Sequence, residues 1–338
     1  MAGELNRGYH SPEVIGCGSP TKEKKIMNQV FDFSCPTCVG HRLSLEDLGG
    51  RTAYVCSQCG SNYPVIDGIP RFVTSDDYVG NFSFEWNIHR QTQIDNEHRK
   101  TSEDAFLLRF GQLPEFFKGK RVLDVGVGAG RYADVALRAG AEVWGIDLSF
   151  SVATAKENLA RCGDKIHLAQ ADLFNPPFDP GSFDVIYSFG VLHHTPDPKK
   201  GFDGLVKLLK PGGVICITTY PNYGMYFTSK YARRLTTRLP PFVLYPLTAL
   251  FTLAFYLPYK YLGLRHGVMG RLLPISLSDS LKEAILDTYD CYSPKYQFCF
   301  AVHEVFEWFK QAGLDRIDAR PHPTTVLGWK PVDAILNH

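Results

Sequence analysis

One glycine-rich stretch, Val122–Gly130, constrains the fold of this chain more strongly than any other feature. The apolar run Arg121–Val125 carries an acid at Asp124. Glycines follow at positions 126, 128 and 130, and a helix-like pattern begins at Arg131. A buried strand that turns sharply into a helix lets the backbone approach a ligand, with the first helical amides pointing toward it. The third glycine comes one residue earlier than in the pattern G-x-G-x-x-G, which argues against a nicotinamide cofactor.

From Arg121 onward, predicted strands and helices alternate, as is typical of a parallel sheet with helices on both faces. The predicted strands cover 121–125, 142–146, 166–170, 183–188 and 213–219, with two final strands at 314–319 and 324–329. The predicted helices cover 131–139, 150–161, 199–210 and 302–313. An amphipathic helix around Ala105–Phe110 is expected either to pack on one end of this sheet or to form a lid over the ligand.

Two acidic residues stand where predicted strands end. Asp147 ends the second strand, where a carboxylate can accept hydrogen bonds from both ribose hydroxyls. The alternative for Asp147 is a helix cap. Asp172 follows the third strand and could accept a hydrogen bond from an adenine amino group. Both residues therefore indicate a nucleoside site at the carboxyl edge of the sheet.

Two later motifs, Phe183–Pro198 and Leu208–Ile215, complete a resemblance to the class I S-adenosylmethionine-dependent methyltransferases. The likeness is densest over residues 120–220, and within that class the group containing the ubiquinone and menaquinone methyltransferases is most similar. The resemblance implies an α/β, Rossmann-like, seven-stranded sheet with the last strand antiparallel, and S-adenosylmethionine as cofactor. It implies these cofactor-binding residues: Asp124, Gly126, Gly128, Gly130, Arg131, Asp147, Leu148, Asp172, Leu173, Phe189 and Gly190.

The residues that would act on the methyl acceptor are less defined. His193 and His194 follow the fourth strand and are candidate general bases, because histidine titrates near neutral pH. The alternative is that this pair only shapes the loop. Other candidate bases are His303 and Tyr292. Three tyrosines could line an acceptor pocket or could simply connect the chain back to the sheet: Tyr289, Tyr292 and Tyr296.

Four of the nine cysteines form two C-x-x-C pairs, Cys35/Cys38 and Cys56/Cys59. Two such turns facing each other predict a tetrahedral zinc site, which is structural because four thiolates leave no open position. The alternatives are unpaired thiols or a redox role. The stretch Tyr63–Phe72 resembles the end of the small zinc-ribbon protein that activates tRNA and protein methyltransferases. That resemblance implies a docking or stabilising module.

The segment Tyr220–Pro294 interrupts the strand–helix alternation. Its part Leu239–Tyr259 has no charged residue but contains four prolines, and the proline-free part Leu247–Leu257 is too short to span a membrane. We expect either a helical cap over the active site or, given the flanking basic residues, contact with a membrane surface. Under both interpretations the roof of the pocket is expected to be apolar.

These observations divide the chain into a flexible tail (1–29), a zinc ribbon (30–74), a helical linker or lid (75–119) and a methyltransferase domain (120–338) with an apolar insertion at 221–294.

We predict that the protein is located in the cytoplasm, where it could also bind peripherally to the inner face of the membrane. The predicted activity is methyl transfer to an O, N or C atom of a small acceptor, apolar or lipid-linked. The alternatives are an RNA methyltransferase, disfavoured by the net charge of +1, and a non-enzymatic scaffold. Oligomeric state is left open.

Overall fold

A computed structural model gives the fold of most of the chain. It describes residues 33–38, 40–73, 95, 100–112, 114–262, 266–267, 270, 273–278 and 280–333. The predicted tail (1–29) lies outside the described residues, as does most of the segment 75–99.

A seven-stranded sheet forms the centre of the molecule, in the order β10-β11-β9-β8-β5-β6-β7. Its strands are β5 (Arg121–Val125), β6 (Glu142–Asp147), β7 (Ile166–Gln170), β8 (Phe183–Phe189), β9 (Leu209–Thr218), β10 (Asp315–Ala319) and β11 (Thr325–Trp329). Strands β5 to β9 pair in parallel, and β11 pairs antiparallel with both β9 and β10. The predicted fold, including the antiparallel last strand, is confirmed.

Apolar side chains of the central strands alternate between the two faces of this sheet. Leu123 and Ile186 lie in one buried cluster, whereas Val122 and Val185 lie in the other. This two-residue period means that both faces of the sheet are covered. The helices that follow the strands are α2 (Arg131–Arg138), α3 (Val152–Asn158), α4 (Pro198–Lys207) and α9 (Val302–Gln311), with α1 (Thr101–Phe110) preceding them.

The cysteine-containing region is an antiparallel sheet of four strands: β1 (Ser44–Asp47), β2 (Thr52–Val55), β3 (Asn62–Ile66) and β4 (Ile69–Pro70). It lies against the edge strand β7, where the Phe72 N–H donates to the Gln170 carbonyl at 2.8 Å. The Phe33 ring lies 5.8 Å from that of Phe178, and both belong to a buried cluster of the central sheet. This region therefore shares a core with the large sheet and covers its open edge.

Within its described residues, the insertion contains the helices α5 (Gly224–Thr228), α6 (Arg233–Thr236), α7 (Pro241–Tyr261) and α8 (Leu281–Tyr292). Helix α7 continues through Pro246 and Pro258, so it is longer than the proline-free part Leu247–Leu257. Both prolines lie beyond the first four residues of the helix, so each removes one backbone hydrogen bond. Among the described residues, α7 is long and apolar enough to cross a membrane by length and composition alone.

Candidate active site

A cavity of about 460 Å³ opens at the carboxyl ends of β5, β6, β8 and β9. This is the position at which open α/β sheets bind ligands, and the volume falls in the range of small-molecule sites. The cavity runs from Leu148 and Asp172 at one end to Tyr226 and Asp290 at the other. We call these the adenine end and the acceptor end, after the groups that the sequence predicts for them.

The glycine turn forms one wall of the cavity. Gly126 has a φ of +80°, and a Cβ atom there would lie 2.2 Å from a methyl group of Val191. The Gly126 and Val127 amides both donate to the Ile146 carbonyl, which holds the turn against β6. A side chain at position 126 would thus be strained by the backbone and blocked by its neighbour.

Asp147 closes the turn from the neighbouring strand. One carboxylate oxygen accepts the Gly128 N–H at 2.9 Å, and the other accepts the Ser149 N–H at 2.8 Å and its hydroxyl at 2.6 Å. Burial raises the pKa of Asp147, although these hydrogen bonds act in the opposite direction. Oδ2, which accepts only the Gly128 N–H, has a further lone pair, so the residue can still accept a hydrogen bond from a ligand hydroxyl.

Asp124 lies beneath the turn and does not line the cavity. Its carboxyl accepts the Tyr187 hydroxyl at 3.0 Å, and burial raises its pKa to about 8. Gly130 also lies behind the cavity wall, where a Cβ atom would meet Leu159 at 2.8 Å. These two predicted cofactor residues therefore support the turn from behind, whereas the other nine line the cavity.

The adenine end is connected to the cysteine-containing region by hydrogen bonds. The Arg71 guanidinium donates to the Gln170 side-chain oxygen at 3.1 Å, and the Gln170 amide donates to the Leu148 carbonyl at 2.9 Å. Leu148 lines the cavity beside Asp172 and Leu173. A change in how this region sits on β7 would therefore be transmitted to the adenine end.

Two arginines lie beside the glycine turn. Arg131 lines the cavity and donates to the Ser102 hydroxyl at 3.0 Å. Arg109 comes from α1, and its guanidinium lies 5.7 Å from the centre of the Phe189 ring. Helix α1 packs through Phe106 and Phe110, so it both packs on the sheet and contributes to the cavity wall. Sequence reasoning did not single out Arg109 as a site residue.

The acceptor end is polar and aromatic. The ring of Tyr220 stacks on that of Tyr226 at 3.6 Å, and both rings line the cavity beside two carboxylates of α8, Asp287 and Asp290. Asp287 accepts hydrogen bonds from the Ser276 and Ser278 hydroxyls at 3.0 and 2.6 Å. Helix α7 contributes no residue to the described cavity lining, so an apolar roof formed by this helix stays a prediction.

Asp290 is a candidate proton acceptor at this end. Burial raises its pKa to about 6, and its Oδ2 accepts the Tyr220 hydroxyl at 2.5 Å. Its Oδ1 is buried without a hydrogen-bond partner among the described residues. A carboxylate that is partly desolvated and ionised near neutral pH can accept a proton from a ligand. The sequence analysis did not single out Asp290, although its position between Tyr289 and Tyr292 is a local signal that could have indicated it.

The predicted histidine pair lies beside this group. His194 lines the cavity, and its Nδ1 lies 2.9 Å from the Tyr296 carbonyl. Because a carbonyl only accepts, Nδ1 carries the proton. Burial lowers the pKa of His194 to about 3 and that of His193 well below its ordinary value. His193 does not line the cavity, and its ring lies 3.8 Å from that of Tyr220.

The remaining candidates for the acceptor pocket lie elsewhere. Tyr289, Tyr292 and Tyr296 are absent from the lining of the described cavity. The Tyr292 hydroxyl donates to the Pro274 carbonyl at 2.7 Å, and His303 is exposed on α9. For these tyrosines the structure agrees with the alternative of a structural connection.

The four paired cysteines come together as predicted. The ligand atoms of Cys35, Cys38, Cys56 and Cys59 all lie within 4.8 Å of one another. Gly60 has a φ of +70°, and its N–H donates to the Cys56 carbonyl at 2.9 Å, which forms the second turn. Four thiols in one cluster fit a tetrahedral zinc ion.

Comparison with known proteins finds similarity at the centre of this chain. Residues 123–217 match the model of the family described as "Methyltransferase domain". This match supports the predicted class I S-adenosylmethionine-dependent methyltransferase domain. The matched residues contain the glycine turn, Asp147 and Asp172, so the domain assignment coincides with the adenine end of the cavity.

Several curated proteins are similar over the same region. The chain is 40% identical to phosphoethanolamine N-methyltransferase 2 of Caenorhabditis elegans, over 34% of this chain and 27% of that protein. It is 38% identical to the ubiquinone biosynthesis O-methyltransferase of Aromatoleum aromaticum, over 30% of this chain and 44% of that protein. It is 35% identical to the demethylmenaquinone methyltransferase of Clavibacter sepedonicus, over 30% of this chain and 42% of that protein. The chain thus spans less than half the length of these relatives.

Two solved structures are also similar. The Haemonchus contortus phosphoethanolamine N-methyltransferase 2 matches with a TM-score of 0.42 and 24% identity, over 73% of this chain and 46% of that one. The second match is a chain from the complex between the Haloferax volcanii Trm112 methyltransferase activator and a methyltransferase. Its TM-score is 0.43 and its identity 18%, over 74% of this chain and 97% of that one. Both TM-scores are below 0.5, so the structural similarity is weak.

Proposed function

We propose that this protein transfers a methyl group from S-adenosylmethionine to a small acceptor molecule. One observation carries the proposal. A single cavity joins the glycine turn and Asp147 of the methyltransferase domain to a second, polar end formed by Tyr220 and Asp290. A cofactor and an acceptor could therefore meet inside one cavity.

The residues at the adenine end fit the cofactor chemically. Asp147 would accept hydrogen bonds from the ribose hydroxyls, and Asp172 would accept one from the adenine amine. Arg131 would approach the methionine carboxylate. When bound, S-adenosylmethionine supplies a methyl group on a positively charged sulfur atom. The protein's contribution to such an in-line displacement is alignment and exclusion of water, because the leaving group is already activated.

At the acceptor end we propose that Asp290 accepts the proton displaced by methylation. With an O–H or N–H acceptor, the Asp290 carboxylate would take the proton that the acceptor atom loses. Tyr220 would hold Asp290 in place through its hydroxyl. His194 is the alternative base, but its low pKa makes it a weak proton acceptor.

The acceptor itself is proposed to be a small molecule with a polar reacting group. Two carboxylates beside two stacked tyrosines favour an acceptor that carries an amine or hydroxyl over a wholly apolar one. The similar proteins include both an N-methyltransferase and O-methyltransferases by name. A lipid-linked acceptor agrees with this cavity if its reacting group is polar.

We further propose that residues 30–74 form a structural zinc module and residues 120–338 the methyltransferase domain. The four-thiol cluster leaves no open position for a substrate, so the metal would stabilise the fold. Its contact with β7 gives it a supporting role for the adenine end of the cavity.

The test is to incubate purified protein with S-adenosylmethionine bearing a deuterated methyl group and with cell extract divided into small-molecule, lipid and RNA fractions. Label in a small molecule or lipid supports the proposal, and label in RNA would establish the RNA alternative instead. No label in any fraction, together with no S-adenosylmethionine binding in a calorimeter, would favour the scaffold hypothesis. Asp147→Ala serves as the negative control.

A further inference from the structure

The long helix α7 has two apolar faces, and only one of them is packed within the protein. Leu244, Thr248, Thr252 and Tyr259 are buried on the inner face, and the Tyr245 ring lies 5.4 Å from that of Tyr289 on α8. On the opposite face, large apolar side chains are each more than half exposed. This outer face consists of Phe242, Leu247, Leu250, Leu253, Leu257 and Tyr261.

The outer face is continuous along the helix. Leu250, Leu253, Leu257 and Tyr261 follow one another at spacings of three and four residues, which places them on one side of an α-helix. Leu235, on the preceding helix α6, is a further apolar side chain that is 70% exposed. Soluble monomers rarely expose an apolar stripe of this length, and such surfaces mark interaction sites.

The stretch of sequence that contains α7 carries charges of one sign. From residue 204 to residue 278 the sequence contains no Asp or Glu. Between residues 221 and 278, Lys and Arg occur at Lys230, Arg233, Arg234, Arg238, Lys260, Arg265 and Arg271. Of these, Lys230, Arg234 and Arg238 are exposed just before α7 begins. An apolar helix face next to cations complements a lipid surface that carries negative headgroups.

We propose that the outer face of α7 binds an anionic lipid bilayer, with the helix lying in the plane of the membrane interface. A spanning orientation would strip the inner face from α8 and expose Thr248 and Thr252 to hydrocarbon, whereas interfacial binding leaves that packing intact. Because α8 also carries Asp287 and Asp290, the lipid surface would be one helix layer from the acceptor end. The contact is independent of whether methyl transfer occurs.

Sedimentation of the full-length protein with vesicles tests this. We expect binding to phosphatidylcholine vesicles that contain phosphatidylglycerol, and weak binding to phosphatidylcholine alone. The double variant L250Q/L257Q should bind at least about tenfold more weakly, because two leucines no longer enter the apolar layer. Arg234→Gln with Arg238→Gln should lower binding to anionic vesicles about tenfold and make it less sensitive to salt.

The control is L48Q/L108Q, which replaces two exposed leucines on other surfaces and should bind vesicles like the wild type. Thermal melting and S-adenosylmethionine binding of every variant confirm that the fold is intact. Three outcomes would overturn the proposal: no vesicle binding by the wild type, equal binding by L250Q/L257Q, or self-association through this face without lipid. Resistance to extraction by alkaline carbonate would instead mean that α7 spans the bilayer, which also contradicts it.

Discussion

The two ends of the cavity are built in different ways. The adenine end consists of a backbone turn and the tips of adjacent strands, and the cysteine-containing region supports it through Gln170. The acceptor end joins the end of β9 to helix α8, some seventy residues later, and the insertion supports it. The first end follows directly from the parallel sheet, whereas the second depends on how one insertion folds back over that sheet.

This difference separates cofactor binding from recognition of the acceptor. A strand-to-helix turn with glycines presents backbone amides, which can bind the same cofactor whatever the acceptor is. Side chains such as Tyr226 and Asp290 are carried by an element that can change without disturbing the strands. Variation in the insertion would therefore alter the acceptor while leaving the adenine end in place.

Removal of the proposed zinc should have the largest effect and should act mainly on the adenine end. For Cys56→Ser, or after chelation, we expect the melting temperature to fall by about 10 °C or more, since structural zinc sites contribute several kcal/mol. Calorimetry and metal analysis measure this. Cys299→Ser, which lies outside the cluster, is the control. Purified protein without bound metal, whose melting is unchanged by Cys56→Ser, would contradict a structural zinc site.

Replacing the proposed proton acceptor should affect only the acceptor end. Asp290→Asn should lower kcat by roughly 10²- to 10⁴-fold, the usual contribution of a positioned base, with S-adenosylmethionine affinity unchanged. Burial raises the pKa of Asp290 to about 6, so the carboxylate is lost as pH falls below that value and wild-type activity should fall with it. The measurement is the pH dependence of kcat with the acceptor identified by isotope labelling.

The same experiment distinguishes the two candidate bases. Asp203→Asn changes an exposed carboxylate of α4 and should leave the pH profile unchanged. If the decrease near pH 6 persists in Asp290→Asn and disappears in His194→Gln, the histidine accepts the proton and our assignment is wrong.

Asp147→Ala should act on the adenine end alone. We expect S-adenosylmethionine binding to weaken by roughly 1–3 kcal/mol, because hydrogen bonds to a charged group are lost. Isothermal titration calorimetry gives the dissociation constant. Since Asp147 also accepts the Gly128 and Ser149 amides, thermal melting without ligand must show that the variant is folded. Unchanged affinity would exclude a ribose contact.

The smallest expected effect concerns the connection between the cysteine-containing region and the cavity. Arg71→Met removes one hydrogen bond to Gln170 and should weaken S-adenosylmethionine binding by about 0.5–1.5 kcal/mol, without changing the pH profile. Gln170→Leu, which also frees the Leu148 carbonyl, should weaken binding further. Equal affinities in wild type and Gln170→Leu would show that the two regions are not coupled.

Much of the fold was predictable because it depends on local patterns. The apolar runs of β5 to β8 and the glycines after β5 specify strands and a turn whatever lies around them. Two cysteine pairs predicted one cluster because a turn of this spacing directs both thiols inward. The acid at Asp147 was found by its position at a strand end.

Other features depended on distant parts of the chain. Asp290 reaches the cavity only because α8 packs near the end of β9, and its pKa rises only because that packing buries it. Helix α7 continues through two prolines because its inner face packs against α8, which outweighs their local preference. Local periodicity contains no information about either contact.

By itself, the sequence determined the parallel sheet, the glycine turn and the cysteine cluster, since period-two apolar runs, positive φ values and ligand spacing are local properties. The tertiary structure alone decided three things. It merged the cysteine-containing region with the sheet core, it brought two carboxylates of α8 to the cavity, and it turned the leucines of α7 toward solvent. Each depends on which surfaces bury one another, and burial is a property of the packed molecule.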